Sequence, residues 1–176
     1  MVPKTYPIKP HQQKMINDVK KLSPKRLFYV VIQQNNAEMN LTLPELKKHL
    51  KYSIKRYVRD FFSLEYRTGL EKELIQYVCF FETTKEFNQS LYSENIRDGI
   101  YEGFHFHLFI SSKSGEVHLP QLIHYLFWSL TSQQIKSQAL KKFDYHKVEH
   151  LDDMFIQYHT KQHFYTKMPE MILINI

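Results

Sequence analysis

At 176 residues, 43% hydrophobic and 15% aromatic with only four glycines, the chain is long enough for one domain with a proper core and too short for two of ordinary size. That composition excludes a disordered or low-complexity protein, and without an apolar run of ~18 residues no transmembrane helix is expected. A net charge of +6 favours a polyanionic partner, while a single cysteine, Cys79, excludes a disulfide framework and points to a reducing, cytoplasmic setting.

Residues 1–24 are polar, carry Pro3, Pro7, Pro10 and Pro24, lack the apolar stretch of a secretory signal, and read as an arm with one short helix. Residues 25–176 read as one domain. Leu27–Ile32 (LFYVVI) is aromatic and β-branched and reads as a buried strand. It runs into the polar cluster Gln33, Gln34, Asn35 and Asn36. A helix follows, with Thr42 as N-cap and Pro44 in its first turn. Its apolar residues Leu46, Leu50, Ile54, Tyr57, Val58 and Phe61 recur at helical spacing. Lys48, Lys51, Lys55 and Arg59 line another face, and a solvated surface is the plainer reading of that stripe. A second strand spans Leu74–Phe81 and stops at Glu82, and a third spans Phe104–Ser111. Pro120 opens a helix with Leu119, Leu122, Ile123, Leu126 and Leu130 on one side. Phe143–Val148 reads as a fourth strand. A final helix from His150 to about Phe164 is expected, capped near Asp152. This order makes an α+β protein. Its β-α-β-β-α-β core is the ferredoxin-like arrangement, an antiparallel sheet with helices packed on one face and a late helix carrying Tyr158.

The sharpest chemical feature is Phe104-His105-Phe106-His107-Leu108. Side chains alternate along a strand, so His105 and His107 share one face while Phe104, Phe106 and Leu108 enter the core from the other. Two imidazoles two residues apart can bind one metal ion; two half-exposed histidines are the plainer reading. Glu82, at the end of the preceding strand, adds a carboxylate. Two histidines and a carboxylate make a three-ligand set with open positions, suited by ligand chemistry to zinc as well as manganese or magnesium.

In the last helix, Tyr158 with Lys161 (three apart) and Gln162 (four apart) shares a helix face. Leu151, Met154, Phe155 and Tyr158 also form an apolar stripe, so by periodicity alone Tyr158 reads as a core aromatic facing the sheet. A tyrosine oxygen can attack a phosphodiester to leave a covalent phosphotyrosine. A phenol ionises only near pH ~10, so it needs a cation on the phosphate or a lysine such as Lys161 beside it. Tyr165 with Lys167 is a second pair and the reserve nucleophile.

Together these residues resemble the HUH endonuclease superfamily. His105-Phe106-His107 matches its histidine-hydrophobe-histidine motif, and Tyr158-His159-Thr160-Lys161 matches the Tyr-x-x-Lys motif of single-tyrosine rolling-circle replication initiators. Leu27–Asn36 is similar to the family's first motif, a strand running into polar residues that help recognise DNA. The resemblance covers about residues 25–165. It implies Glu82, His105 and His107 as ligands of manganese or magnesium, Tyr158 as nucleophile with Lys161 beside it, and Gln33, Gln34, Asn35 and Asn36 on DNA. The implied substrate is single-stranded DNA or an origin hairpin, nicked through a 5′-phosphotyrosine in the cytoplasm or in the nucleic-acid compartment of a host cell. With no GxxxxGK[ST] phosphate loop in the chain, a host helicase and polymerase are the expected partners.

Single-strand transposases of the same superfamily are the close alternative, because Tyr158 and Gln162 also fit their Tyr-x-x-x-Gln arrangement, in which the glutamine is a metal ligand. An alternative of another class is a non-catalytic binder of single-stranded nucleic acid, since sheets with exposed aromatics stack bases. His118, His124, His146, His150, His159 and His163 acquire no role from spacing, although His159 lies beside the proposed nucleophile.

Overall fold

The computed structural model describes residues 8–22, 24–34, 43–62, 74–83, 104–113, 117–132, 140–160 and 172–176. Helix α1 (Pro10–Lys20) and a 3-10 turn (Pro24–Arg26) lead into strand β1 (Leu27–Gln34). Helix α2 (Leu43–Phe62), strands β2 (Ile75–Thr83) and β3 (Phe104–Ser112), helix α3 (Leu119–Ser132) and strand β4 (Leu140–Lys147) follow. A short helix α4 (Asp153–His159) and strand β5 (Ile172–Asn175) complete the order.

The five strands form one sheet in the order β4-β1-β3-β2-β5, and every pairing is antiparallel. β1 and β2 therefore run parallel with β3 between them, joined through α2. β3 and β4 likewise run parallel with β1 between them, joined through α3. Crossovers of this kind are right-handed, which brings both connecting helices to the same side of the sheet. The result is an α+β protein, and nothing in its strand order conflicts with the ferredoxin-like arrangement.

The side covered by α2 and α3 carries the larger core. Leu50, Ile54, Tyr57 and Val58 of α2 and Leu119, Leu122, Ile123 and Leu126 of α3 pack on Val30, Tyr77, Cys79, Phe81, Phe106, Leu108 and Ile110. These are the apolar positions that helical spacing singled out. Phe61 departs from that pattern: it is 46% exposed, stacked on Tyr57 at 4.5 Å at the rim.

The opposite side of the sheet is also covered, so helices on one face describes α2 and α3 alone. Met15, Ile16 and Val19 of α1 and Ile156 of α4 pack there against Leu27, Tyr29, Val78, Phe80 and Phe109. Two covered faces explain why β1, β2 and β3 read as continuous apolar runs instead of alternating ones. β4, at the sheet edge, carries Lys141, Lys142, Asp144 and Lys147, charges suited to an edge that must not recruit another strand.

The short helix expected near the N-terminus is thus seated on the core. Its first turn is closed by Gln12, whose Oε1 accepts the Lys9 backbone N–H at 2.7 Å. Asp18, 5% exposed, receives Lys14 at 2.6 Å and Lys21 at 3.0 Å. β5 was not foreseen; four residues of MILINI carry too little pattern to be distinguished from a tail.

Candidate metal centre and nucleophile

On β3, Phe106, Leu108 and Ile110 are buried in the α2/α3 core, and Phe109 is buried in the other. The pleat therefore sets positions 105 and 107 on the side of α1 and α4, as the alternation predicted. Register does the rest. Glu82 pairs with His105, and Phe80 with His107; on the other flank Gln33 pairs with His105, and Val31 with His107. Directly opposed residues of antiparallel strands share a face. Glu82, His105 and Gln33 thus occupy one cross-strand row, with His107 in the next. The structure describes Glu82, His105, Gln33 and Gln34 by backbone and register only. The pairing of β1 with β4 shifts between Gln33 and Gln34, an irregularity of the sort that re-aims side chains next to functional sites. Asn35, Asn36, Lys161, Gln162 and Tyr165 lie outside the described residues.

His107 is half-buried, with α4 over it. The Tyr29 hydroxyl is hydrogen-bonded to His107 Nδ1, with the two rings nearly parallel and 5.8 Å apart. His159 of α4 stands with its ring 4.2 Å from Tyr29 and 6.1 Å from His107. Spacing gave His159 no role. The signal available was Phe155, four residues earlier: whichever face of the helix Phe155 presents, His159 presents too, and Phe155 packs on Tyr29 at 5.7 Å.

α4 is held at both ends. Asp152 is the N-cap, accepting the Phe155 N–H at 2.7 Å, so the cap expected near Asp152 is present. The helix begins at Asp153, three residues later than expected, because a cap residue has extended backbone (φ −108°, ψ 172°) and starts the helix after itself. Lys20 of α1 pairs with Asp153. At the far end the buried Thr160 donates its hydroxyl to the Ile156 carbonyl at 2.6 Å.

This docking decides the orientation of Tyr158. Ile156 is fully buried, with Phe155 and His159 turned to the sheet beside it, whereas Met154 is 78% and Tyr158 64% exposed. The stripe of Leu151, Met154, Phe155 and Tyr158 does not exist as a buried face, and Tyr158 is not a core aromatic. Its ring stands edge-on to His159 at 5.0 Å. The nucleophile candidate is thus at the surface, one residue from a histidine that contacts the His107 environment.

By residue type, two histidines two apart on β3 and a carboxylate at the position paired with the first are the donors of a 2-His-1-carboxylate set, a chemistry suited to a divalent cation. A metal-binding imidazole commonly has its second nitrogen engaged by a neighbour, as Tyr29 engages His107. Among the described side chains no three of His, Cys, Asp or Glu gather at one point; Glu82 and His105 are not within that set. The basic stripe is elsewhere: Lys48, Lys51, Lys55 and Arg59 are exposed on α2, which covers the face opposite the histidines. It does not line this site. His118 has a structural task, its Nδ1 accepting the Gln121 N–H at 3.3 Å at the start of α3. Buried Cys79 is inert, with its thiol pushed far up by burial.

Comparison of the chain with protein-family models, with curated proteins and with solved structures finds no match.

Proposed function

We propose that this protein is a metal-dependent endonuclease that nicks and rejoins single-stranded DNA at a replication origin, with Tyr158 as nucleophile and Glu82, His105 and His107 as ligands of Mn2+ or Mg2+. The observation that carries the reading is the meeting of two separate elements on one face. Glu82 pairs with His105 on the face of the sheet where His159 of α4 meets His107, and the same helix carries Tyr158 outward.

In this reading the Tyr158 oxygen attacks phosphorus, forming a phosphotyrosine bond as the bond to the 3′ oxygen breaks. The phenol proton passes to solvent or to a neighbouring base, with Lys161 positioned in sequence to favour the phenolate, and the departing oxygen is protonated to a free 3′ hydroxyl. Attack of a 3′ hydroxyl on the same phosphorus reverses the step and rejoins a strand. The cation, when bound, neutralises charge developing on the phosphate. Exposure of Tyr158 suits a substrate that must be admitted from solvent as an extended strand. In this reading Gln33 and Gln34, at the end of β1 where its pairing with β4 shifts, contact that strand.

The test is a denaturing gel of the protein with pooled single-stranded oligonucleotides, including the origin of its own replicon, and Mn2+. A covalent band lost in Tyr158→Phe, in His107→Ala and with chelator is expected. A band persisting in Tyr158→Phe would transfer the role to another residue, Tyr165 first. Tight metal-independent binding with no band would replace the nuclease by a binding module. Dependence on paired hairpin ends and a dimer would identify the transposase form of the same chemistry.

A further inference from the structure

Tyr29 is an enclosed polar side chain on the histidine face. It is 2% exposed, with Phe109 at 5.1 Å, Phe155 at 5.7 Å and His159 at 4.2 Å from its ring. Register accounts for its contact with His107: Tyr29 pairs with Phe109 while His107 pairs with Val31, so the two are diagonal neighbours, within reach for aromatic side chains. Phenylalanine would make the same ring contacts, so packing alone does not explain the hydroxyl. A buried hydroxyl needs a partner, and His107 Nδ1 is one.

We infer that Tyr29 is a positioning residue whose hydroxyl engages Nδ1 of His107, so that Nε2 is the nitrogen presented to a divalent cation. The inference rests on the proposed reading of His107 as a metal ligand. A neutral imidazole that binds through Nε2 keeps its proton on Nδ1, and the Tyr29 oxygen accepts that proton. With the Tyr29 oxygen accepting from Nδ1–H, the contact also holds the ring, with that proton in place, when no cation is bound. Ring plane and tautomer are then set in advance, and the cation meets an ordered ligand. The same tyrosine ring is packed by Phe155 and His159, so the element that orders the ligand also seats the helix carrying Tyr158.

The test is calorimetric titration of Mn2+ into the full chain and its Tyr29→Phe variant. Phenylalanine keeps the ring contacts and loses the hydroxyl, and affinity is expected to fall about 10- to 100-fold with the melting temperature retained. A second measurement needs no variant. In a long-range proton–nitrogen NMR spectrum of the metal-free protein, His107 is expected in the single neutral tautomer with its proton on Nδ1, with a mixture appearing in Tyr29→Phe. Equal Mn2+ affinities would overturn the assignment, and so would mixed tautomers or the Nε2–H form at His107 in the unsubstituted protein, a result that stands even if the variant fails to fold. Loss of the affinity difference with strand cleavage intact would remove Tyr29 alone. An affinity difference without any cleavage would support Tyr29 and remove the nuclease reading. A protein that binds no Mn2+ would remove both.

Discussion

Replacing Ile156 by alanine isolates the docking of α4 from the stability of the sheet. A helix of seven residues does not persist alone in water, because nucleation is costly and too few bonds follow it. α4 therefore exists through its contacts. Ile156 is its fully buried anchor, set among α1 and the sheet residues of the second core; truncating such a side chain costs about 2–5 kcal/mol. If α4 opens as a local unit, that cost falls on its own opening equilibrium instead of on global unfolding. About 2 kcal/mol corresponds to roughly 30-fold, and each further ~1.4 kcal/mol to tenfold. Hydrogen exchange monitored by NMR should then show the amides of residues 156–159 accelerated at least ~30-fold, with those of β1 and β3 little changed. Under the proposed function, covalent adduct formation through Tyr158 should fall in step with the docked fraction. Unchanged exchange in α4, or equal acceleration in α4 and the central strands, would refute the view of α4 as a separately docked element.

Two further outcomes follow from charge and burial. Burial alone would raise the Asp18 carboxyl, but hydrogen bonds and charge from Lys14 and Lys21 outweigh it and hold the carboxyl below its ordinary range. A carboxyl depressed in the folded state contributes stability that is full above its unfolded value near ~3.9 and is lost as pH falls through the lowered folded value. Asp18→Asn should thus cost about 1 kcal/mol at pH 7 and little at pH 2, read from urea melts at the two pH values. Cys79, buried with its thiol pushed far up, should resist a disulfide reagent at pH 8 in the folded protein and react fully in denaturant; fast reaction of the folded chain would contradict its burial.

Much of the frame was legible in the chain itself. LFYVVI, LIQYVCFF and FHFHLFIS are β-branched and aromatic runs, and their backbone preferences alone mark strands near the observed positions. The stripe Leu50, Ile54, Tyr57 and Val58 is a strong amphipathic signal over a long helix and faces the core it implied. α4 was less legible. With Met154, Phe155, Ile156 and Tyr158 spread around a seven-residue helix, no single face is marked apolar, and spacing selected the wrong one. The burial of α1 was equally hidden, because Met15, Ile16 and Val19 lie among polar and charged neighbours.

What local sequence determined was the strand of Phe104–Ser112 and, through its two-residue period, that His105 and His107 stand apart from Phe106 and Leu108. Only the tertiary structure decided that Glu82 pairs in register with His105 across β2 and β3, that Tyr29 meets His107, and that α4 turns His159 inward and Tyr158 outward. The physical reason is range. Alternation along a strand is a property of neighbouring residues, set by the pleat. Register and docking depend on groups distant in sequence, selected by which apolar surfaces can be buried together.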